Sequence, residues 1–286
     1  MTAHDARLHA FRSDLADSRL IGEVTAERFV AGRPARISAS VAEVRKAPRP
    51  DAGINTQFLF GDDVLVFEER EGWAWVQAER DGYVGYVAAA MLGGRDHAST
   101  HIVSVPRTFL YPGPDLRFPV AGQLSMGSTV MVTGAAETRG TPYAVLSSGE
   151  AIIAGHLRPI REAASDYVSV AEMFLGTPYL WGGVSGFGID CSGLVQLAMR
   201  MAGKNVLRDS DMQAASIGEP LDAGPDFSGL RRGDLVFWKG HVAIMTDAET
   251  MIHANGHTML VSREGLKEAI ARIGYLYGGP TGVRRP

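Results

Sequence analysis

The chain has 286 residues, and its 28 lysines and arginines against 32 aspartates and glutamates leave a formal charge of −4. At ~150 residues per domain this length allows about two or three domains, and 45% hydrophobic with 21% charged residues excludes wholesale disorder. The slightly acidic balance argues against a nucleic-acid partner, and no stretch approaches the ~20 apolar residues of a membrane span.

Residues 1–30 read as an N-terminal extension. It mixes charges with apolar residues and lacks a continuous apolar stretch, so no secretory signal is predicted. Leu8, Phe11, Leu15 and Leu20 suggest a short helix within it. The lone cysteine, Cys191, allows no intrachain disulfide and fits a reducing cytoplasm. Residues 31–98 look all-β. Ala35, Ile37, Ala39 and Val41 alternate, and short runs at 64–67, 73–76 and 83–87 each follow a turn rich in Gly and Asp. Residues 99–163 repeat the style, with runs at 130–132, 143–146 and 151–154. Two similar β modules in tandem, each a small barrel or sandwich, are predicted.

The texture changes at residue 164. Asp166 opens a helical pattern that stops at Gly176-Thr177-Pro178. A second helix begins at Cys191 and ends at Gly203, where a C′ glycine belongs. Residues 234–238, 241–245 and 251–254 read as strands, and a closing helix spans about 263–272 with Leu266 and Ile270 inward. Residues 164–286 are thus predicted to form an α+β domain.

Cys191 is the candidate nucleophile, the alternative being an inert buried cysteine. A glycine-rich approach over 181–190 places its sulfur on the first turn of the helix, where unpaired N–H groups and the positive dipole end favour a thiolate. Asp190 or Ser192 is available as the cap. A thiol nucleophile also needs a base. His241 starts one strand and His253 lies in the next, and adjacent antiparallel strands can bring them side by side, one to pair with the thiol and one to orient its partner. His257 follows the turn Asn255-Gly256 and is expected to face solvent. Gly182, Gly183, Gly186 and Gly188 match neither nucleotide signature and read as turn formers. No metal-ligand spacing is present, so no metal or other cofactor is expected.

Four segments in order, Gly176-Thr-Pro-Tyr-Leu-Trp-Gly-Gly183, Asp190-Cys-Ser-Gly-Leu-Val195, Arg232-Gly-Asp-Leu-Val-Phe-Trp238 with Gly240-His-Val-Ala-Ile244, and Ile252-His-Ala-Asn255, resemble the NlpC/P60 family of cell-wall cysteine peptidases. Upstream, Gly72-Trp-Ala-Trp-Val76 and Gly82-Tyr-Val-Gly-Tyr-Val87 resemble bacterial SH3-type modules; residues 99–163 are a looser match. The arrangement is similar to the γ-D-glutamyl-L-diamino acid endopeptidase branch. The resemblance implies a multidomain chain: two small all-β SH3-like barrels, then an α+β papain-like catalytic domain.

It also implies roles. Cys191 matches the nucleophile, His241 the general base and His253 the polar residue that orients it. Tyr179 matches a tyrosine near the oxyanion site and Trp181 a pocket wall. Asp190 and Ser192 flank the nucleophile and are expected to meet substrate. Asp209 and Ser210 match a loop that holds the substrate's free amino end, a cation that calls for a carboxylate and neutral acceptors. Tyr83 and Asp62 of the first module, with Tyr86 and Asp63 as neighbours, are the nearest matches to a tyrosine and an acid that close that pocket; the second module is read as structural.

The expected activity is cleavage of the γ-D-Glu to diamino acid bond in murein tripeptides and tetrapeptides with a free N-terminal L-Ala, in cytoplasmic recycling. A monomer with no nucleic-acid or membrane partner is expected. Alternatives are an amidase or acyltransferase on the same fold, an exported wall-remodelling hydrolase, or a non-enzymatic wall-peptide binding module.

Overall fold

The computed structural model describes residues 4–286. The chain divides into two compact units, Met1–Arg161 and Glu162–Pro286.

The first unit is β-rich. A seven-stranded sheet runs in the order Ile54–Leu59, Val41–Arg45, Val84–Ala88, Trp73–Ala78, Asp63–Arg70, Arg33–Ile37, Leu92–Gly93. Inward residues such as Ile37, Val44, Phe58, Val64, Val76 and Val87 alternate along these strands and close a core. The hairpin at Glu71-Gly72 has positive φ at both turn residues, 52° and 81°, a turn whose twist suits the flanking strands. Further strands from His101–Val103 to Leu157–Pro159 form smaller sheets around Val103, Leu124, Val130 and Ile152, with Phe60 packed against them.

The helix expected near the N-terminus is absent from the described residues. Ala10 and Leu15 instead pack as an irregular lead-in on Phe67, Trp75 and Val84. Ser18–Leu20 forms one 3₁₀ turn capped by Asp17, and the N–H groups of Leu8 and His9 close a single turn on the Asp5 carbonyl. Contact with the barrel, rather than helical periodicity, sets the apolar spacing there.

In the second unit, α1 spans Tyr167–Glu172 and is capped by Asp166, whose carboxylate accepts from the N–H groups of Val168 and Ser169. Helix α2 spans Cys191–Met201 and α3 Ser210–Ser216. Strands β1 (Leu235–Trp238), β2 (His241–Met245), β3 (Thr250–Asn255) and β4 (Leu260–Gly265) form an antiparallel run. Helix α4 (Leu266–Tyr277) and β5 (Gly282–Arg285) close the chain, β5 pairing with β1.

Both faces of this sheet are covered, which is why β1 and β2 read as unbroken apolar runs. Val236, Trp238, Ala243, Met245 and Met251 pack with Leu266, Ala269 and Ile273 of α4. Helix α2 lies against β2 and β3. The closing helix starts later than its periodicity predicts: residues 263–265 belong to β4, paired with β3, and the helix runs on to Tyr277 before Gly278 at φ 85°. A strand that pairs along its whole length overrides a helical pattern at its end.

Candidate active site

Asp190 is the cap of α2. Its Oδ1 accepts from the Gly193 N–H at 2.7 Å and its Oδ2 from the Gly182 N–H at 2.9 Å. Glycine at 193 lets the first turn press on the preceding loop: a Cβ there would sit 2.2 Å from the Gly183 carbonyl oxygen. Arg208, only 1% exposed, grips the same carboxylate through Nη1 (3.0 Å) and Nη2 (2.7 Å) and donates to Ser192 Oγ at 2.8 Å. Gln213 donates to the carbonyls of Ser192 and Leu207 and ties this loop to the helix start. Asp190 and Ser192 were expected to meet substrate. Both are buried, as Cys191 between them is, and bond to the helix start and to Arg208.

Cys191 is 8% exposed. Burial, with the charge of Asp190 second, pushes its thiol up to about 12; the backbone N–H of Val242, Arg208 and the Ser192 N–H act the other way. Burial thus opposes the thiolate expected at the helix start. The Val242 contact places the sulfur beside the residue that follows His241.

His241 Nε2 lies 2.9 Å from His253 Nδ1. The pair is diagonal across β2 and β3, with Ile244 opposite Ile252 setting the register. Burial lowers His241 to about 3, helped by His253 and Arg272. Burial lowers His253 to about 4, with Glu264 pulling the other way. His253 Nε2 is 3.2 Å from Glu264 Oε2, and Arg272 bonds that carboxylate through Nε (2.9 Å) and Nη2 (2.6 Å).

A cleft of about 520 Å³ opens beside the histidines, lined by Tyr179, Trp181, Trp238, His241, His253 and Tyr277 among others. Trp181 is well exposed, and burial raises the Tyr179 hydroxyl further, with the charges of Cys191 and Asp190 adding to it. His257 is exposed as expected, yet it also lines this cleft. Asp209 and Ser210 are part-exposed at the start of α3.

Asp62 and Tyr83, the expected pocket acid and tyrosine, are both buried within the first unit. Asp62 is buried in a tight turn, accepting from the Leu59 N–H and pairing with Arg80 at 3.0 Å. Tyr83 is 3% exposed within the barrel core. Turn acids and strand aromatics have the same local signature whether they serve a core or a ligand.

Sequence reasoning missed Glu264, Arg272 and the depth of Arg208. Glu264 was read into a helix, and its link to His253 exists only once β4 pairs with β3. Among the described residues, no three His, Cys, Asp or Glu side chains converge as a metal site, and no helix is long and apolar enough to cross a membrane.

Residues 176–272 match the NlpC/P60 family model, and residues 44–92 match that of the bacterial dipeptidyl-peptidase SH3 domain. The γ-D-glutamyl-L-lysine dipeptidyl-peptidase of Bacillus subtilis (strain 168) is 30% identical over 227 residues, 71% of this chain and 73% of that one. The chain belongs to the NlpC/P60 family. It is accordingly a hydrolase of a cysteine-peptidase family, with an SH3-like domain ahead of an NlpC/P60 catalytic domain. Dipeptidyl-peptidase 6 of Lysinibacillus sphaericus is 26% identical over 272 residues, covering 84% of this chain and 98% of that protein. The crystal structure of an NlpC/P60 family protein from Bacillus cereus ATCC 10987 superposes with a TM-score of 0.72 at 25% identity, covering 88% of this chain and 99% of that one.

The lowered histidines of this NlpC/P60 unit make its stability depend on pH. Their ordinary value is 6.5, so between that and about 3 to 4 the unfolded chain binds more protons than the folded one. The contribution is fully present above pH 6.5 and is lost as acid carries the pH down toward the folded values. The unfolding midpoint is expected to fall from pH ~6.5 to ~4.5, and His253→Asn, which removes one buried base, should flatten that slope. A slope identical in the variant would assign the loss to other groups.

Proposed function

We propose that this chain is a cysteine peptidase that cuts the γ-D-Glu to diamino acid bond of short murein peptides bearing a free N-terminal L-Ala. The observation that carries the reading is the sulfur of Cys191 held at the start of α2 against Val242, with the adjoining His241 ring bonded to His253. The names of the relatives, γ-D-glutamyl-L-lysine dipeptidyl-peptidase and dipeptidyl-peptidase 6, support the substrate class.

In this mechanism the resting thiol and imidazole are both neutral. As Sγ attacks the γ-carbonyl carbon, the S–H proton passes to His241 and a C–S bond forms. The backbone N–H of Cys191 and the Tyr179 hydroxyl meet the oxyanion. The C–N bond breaks, His241 returns the proton to the leaving amine, and water then hydrolyses the thioester to release L-Ala-γ-D-Glu.

Asp209 and Ser210 hold the free amine. Their support is position, one and two residues past an arginine bonded to both neighbours of Cys191. We further read residues 99–163 as a second SH3-like module, the catalytic domain as papain-like, and the protein as a monomer that recycles fragments in the cytoplasm. A free L-Ala amine suits that role, because L-Ala in the intact wall is amide-linked to the glycan.

Mass spectrometry of products from L-Ala-γ-D-Glu-diaminopimelate and its N-acetyl form tests the reading. Only the expected dipeptide and the free diamino acid should appear. A charge-assisted hydrogen bond contributes about 1.5–3 kcal/mol, so acetylation or Asp209→Ala should lower kcat/KM by roughly 10- to 100-fold. Cleavage at another bond refutes the reading, and equal rates on both peptides remove the amine pocket.

A further inference from the structure

We infer that Glu264, backed by Arg272, is a positioning residue that sets which ring nitrogens of His253 and His241 carry their protons. The inference rests on the reading of Cys191, His241 and His253 as the reacting set. Its evidence is a continuous chain of contacts: His241 Nε2 to His253 Nδ1 at 2.9 Å, His253 Nε2 to Glu264 Oε2 at 3.2 Å, and both Glu264 oxygens to Arg272.

Arg272 donates to both oxygens of Glu264, so Glu264 stays an anion and can only accept. It lies 3.2 Å from His253 Nε2 at an angle short of a hydrogen bond, and an anion that close disfavours a lone pair there and favours Nε2–H. A neutral imidazole with Nε2–H has a bare Nδ1. That bare nitrogen faces His241 Nε2, which must in turn carry a proton. The nitrogen of His241 left over, Nδ1, is then unprotonated, as a base for the Cys191 thiol has to be.

Without Glu264 the opposite chain is equally available. His253 would donate from Nδ1 to His241 Nε2, and the proton on His241 would sit on Nδ1. That imidazole cannot take a proton from sulfur. The carboxylate thus breaks a symmetry that the two histidines cannot break between themselves.

The topology explains how a residue on β4 reaches this place. Glu264 lies opposite Met251, so His253, two residues on and on the same face of the sheet, is its diagonal neighbour. Helix α4 follows directly from β4 and brings Arg272 back over that face.

The test uses the full-length protein labelled with ¹⁵N-histidine. In the unsubstituted enzyme, long-range ¹H–¹⁵N spectra should show the Nε2–H tautomer at both His241 and His253. Finding Nδ1–H at either ring overturns the inference without any variant. In Glu264→Ala the tautomers should mix or reverse, and kcat on L-Ala-γ-D-Glu-diaminopimelate should fall on the order of 10²-fold with KM within about twofold. Glu264→Gln keeps the size and should change both readouts in the same direction by less. Unchanged tautomers, or kcat within about twofold in Glu264→Ala, also overturn it. An unsubstituted enzyme that fails to cut the peptide, or a Cys191→Ala form that still cuts it, would instead sink the proposed function and leave the tautomer result standing.

Discussion

Replacing Cys191 by alanine is expected to lower kcat/KM on the murein tripeptide by at least about 10⁴-fold, while the protein remains folded. The chain has no second thiol to take over. The site around it is built for sulfur: a buried atom beneath a capped helix start, touched by the Val242 N–H. Serine should not rescue, because its hydroxyl is a weaker nucleophile and holds its proton more tightly. His241→Ala should cost a similar factor. The double variant should lose little more than either single one, because nucleophile and base act as one unit. Steady-state kinetics on the three variants, with circular dichroism to verify folding, decide the matter. Residual activity in Cys191→Ala within about tenfold of the unsubstituted enzyme would show that hydrolysis does not pass through this sulfur.

Breaking the ion pair under the helix is expected to have the largest effect on stability. In Arg208→Met, a side chain of similar length leaves Asp190 buried with no countercharge, and removing one partner of a buried pair costs about 3–5 kcal/mol. Asp190 would keep the Gly193 and Gly182 N–H bonds but lose both guanidinium bonds. Arg208→Lys retains the charge but not the planar fork, so it should fall between the two. Adding Asp190→Asn to Arg208→Met neutralises the stranded carboxylate and should recover part of the loss, a coupling that a double-mutant cycle reads directly. Urea unfolding followed by tryptophan fluorescence, with Asp190→Asn alone to complete the cycle, gives the five stabilities. An Arg208→Met protein within about 1 kcal/mol of the unsubstituted one would mean that the pair carries little of the local order.

Much of the catalytic unit is local in origin. The helix beginning at Cys191, its acidic cap and its glycine stop follow from the fourteen consecutive residues 190–203, and the strands carrying His241 and His253 are likewise local. Capping, helical periodicity and tight turns depend on neighbours a few residues away, which is why the candidate nucleophile and its two histidines are legible from the chain alone.

Other features appear only when distant segments meet. Burial pushes the Cys191 thiol up because folding removes water from it, which no helix-start motif encodes. Asp62 meets Arg80, and Tyr83 joins a core, only once the strands of the first unit assemble. Arg208 becomes the counterion of Asp190 only when the loop before α3 packs under α2. Glu264 reaches His253 only through the pairing of β4 with β3. Desolvation and diagonal contacts across strands depend on residues far apart in the chain, so the protonation state of the site and its supporting shell were decided by the tertiary structure.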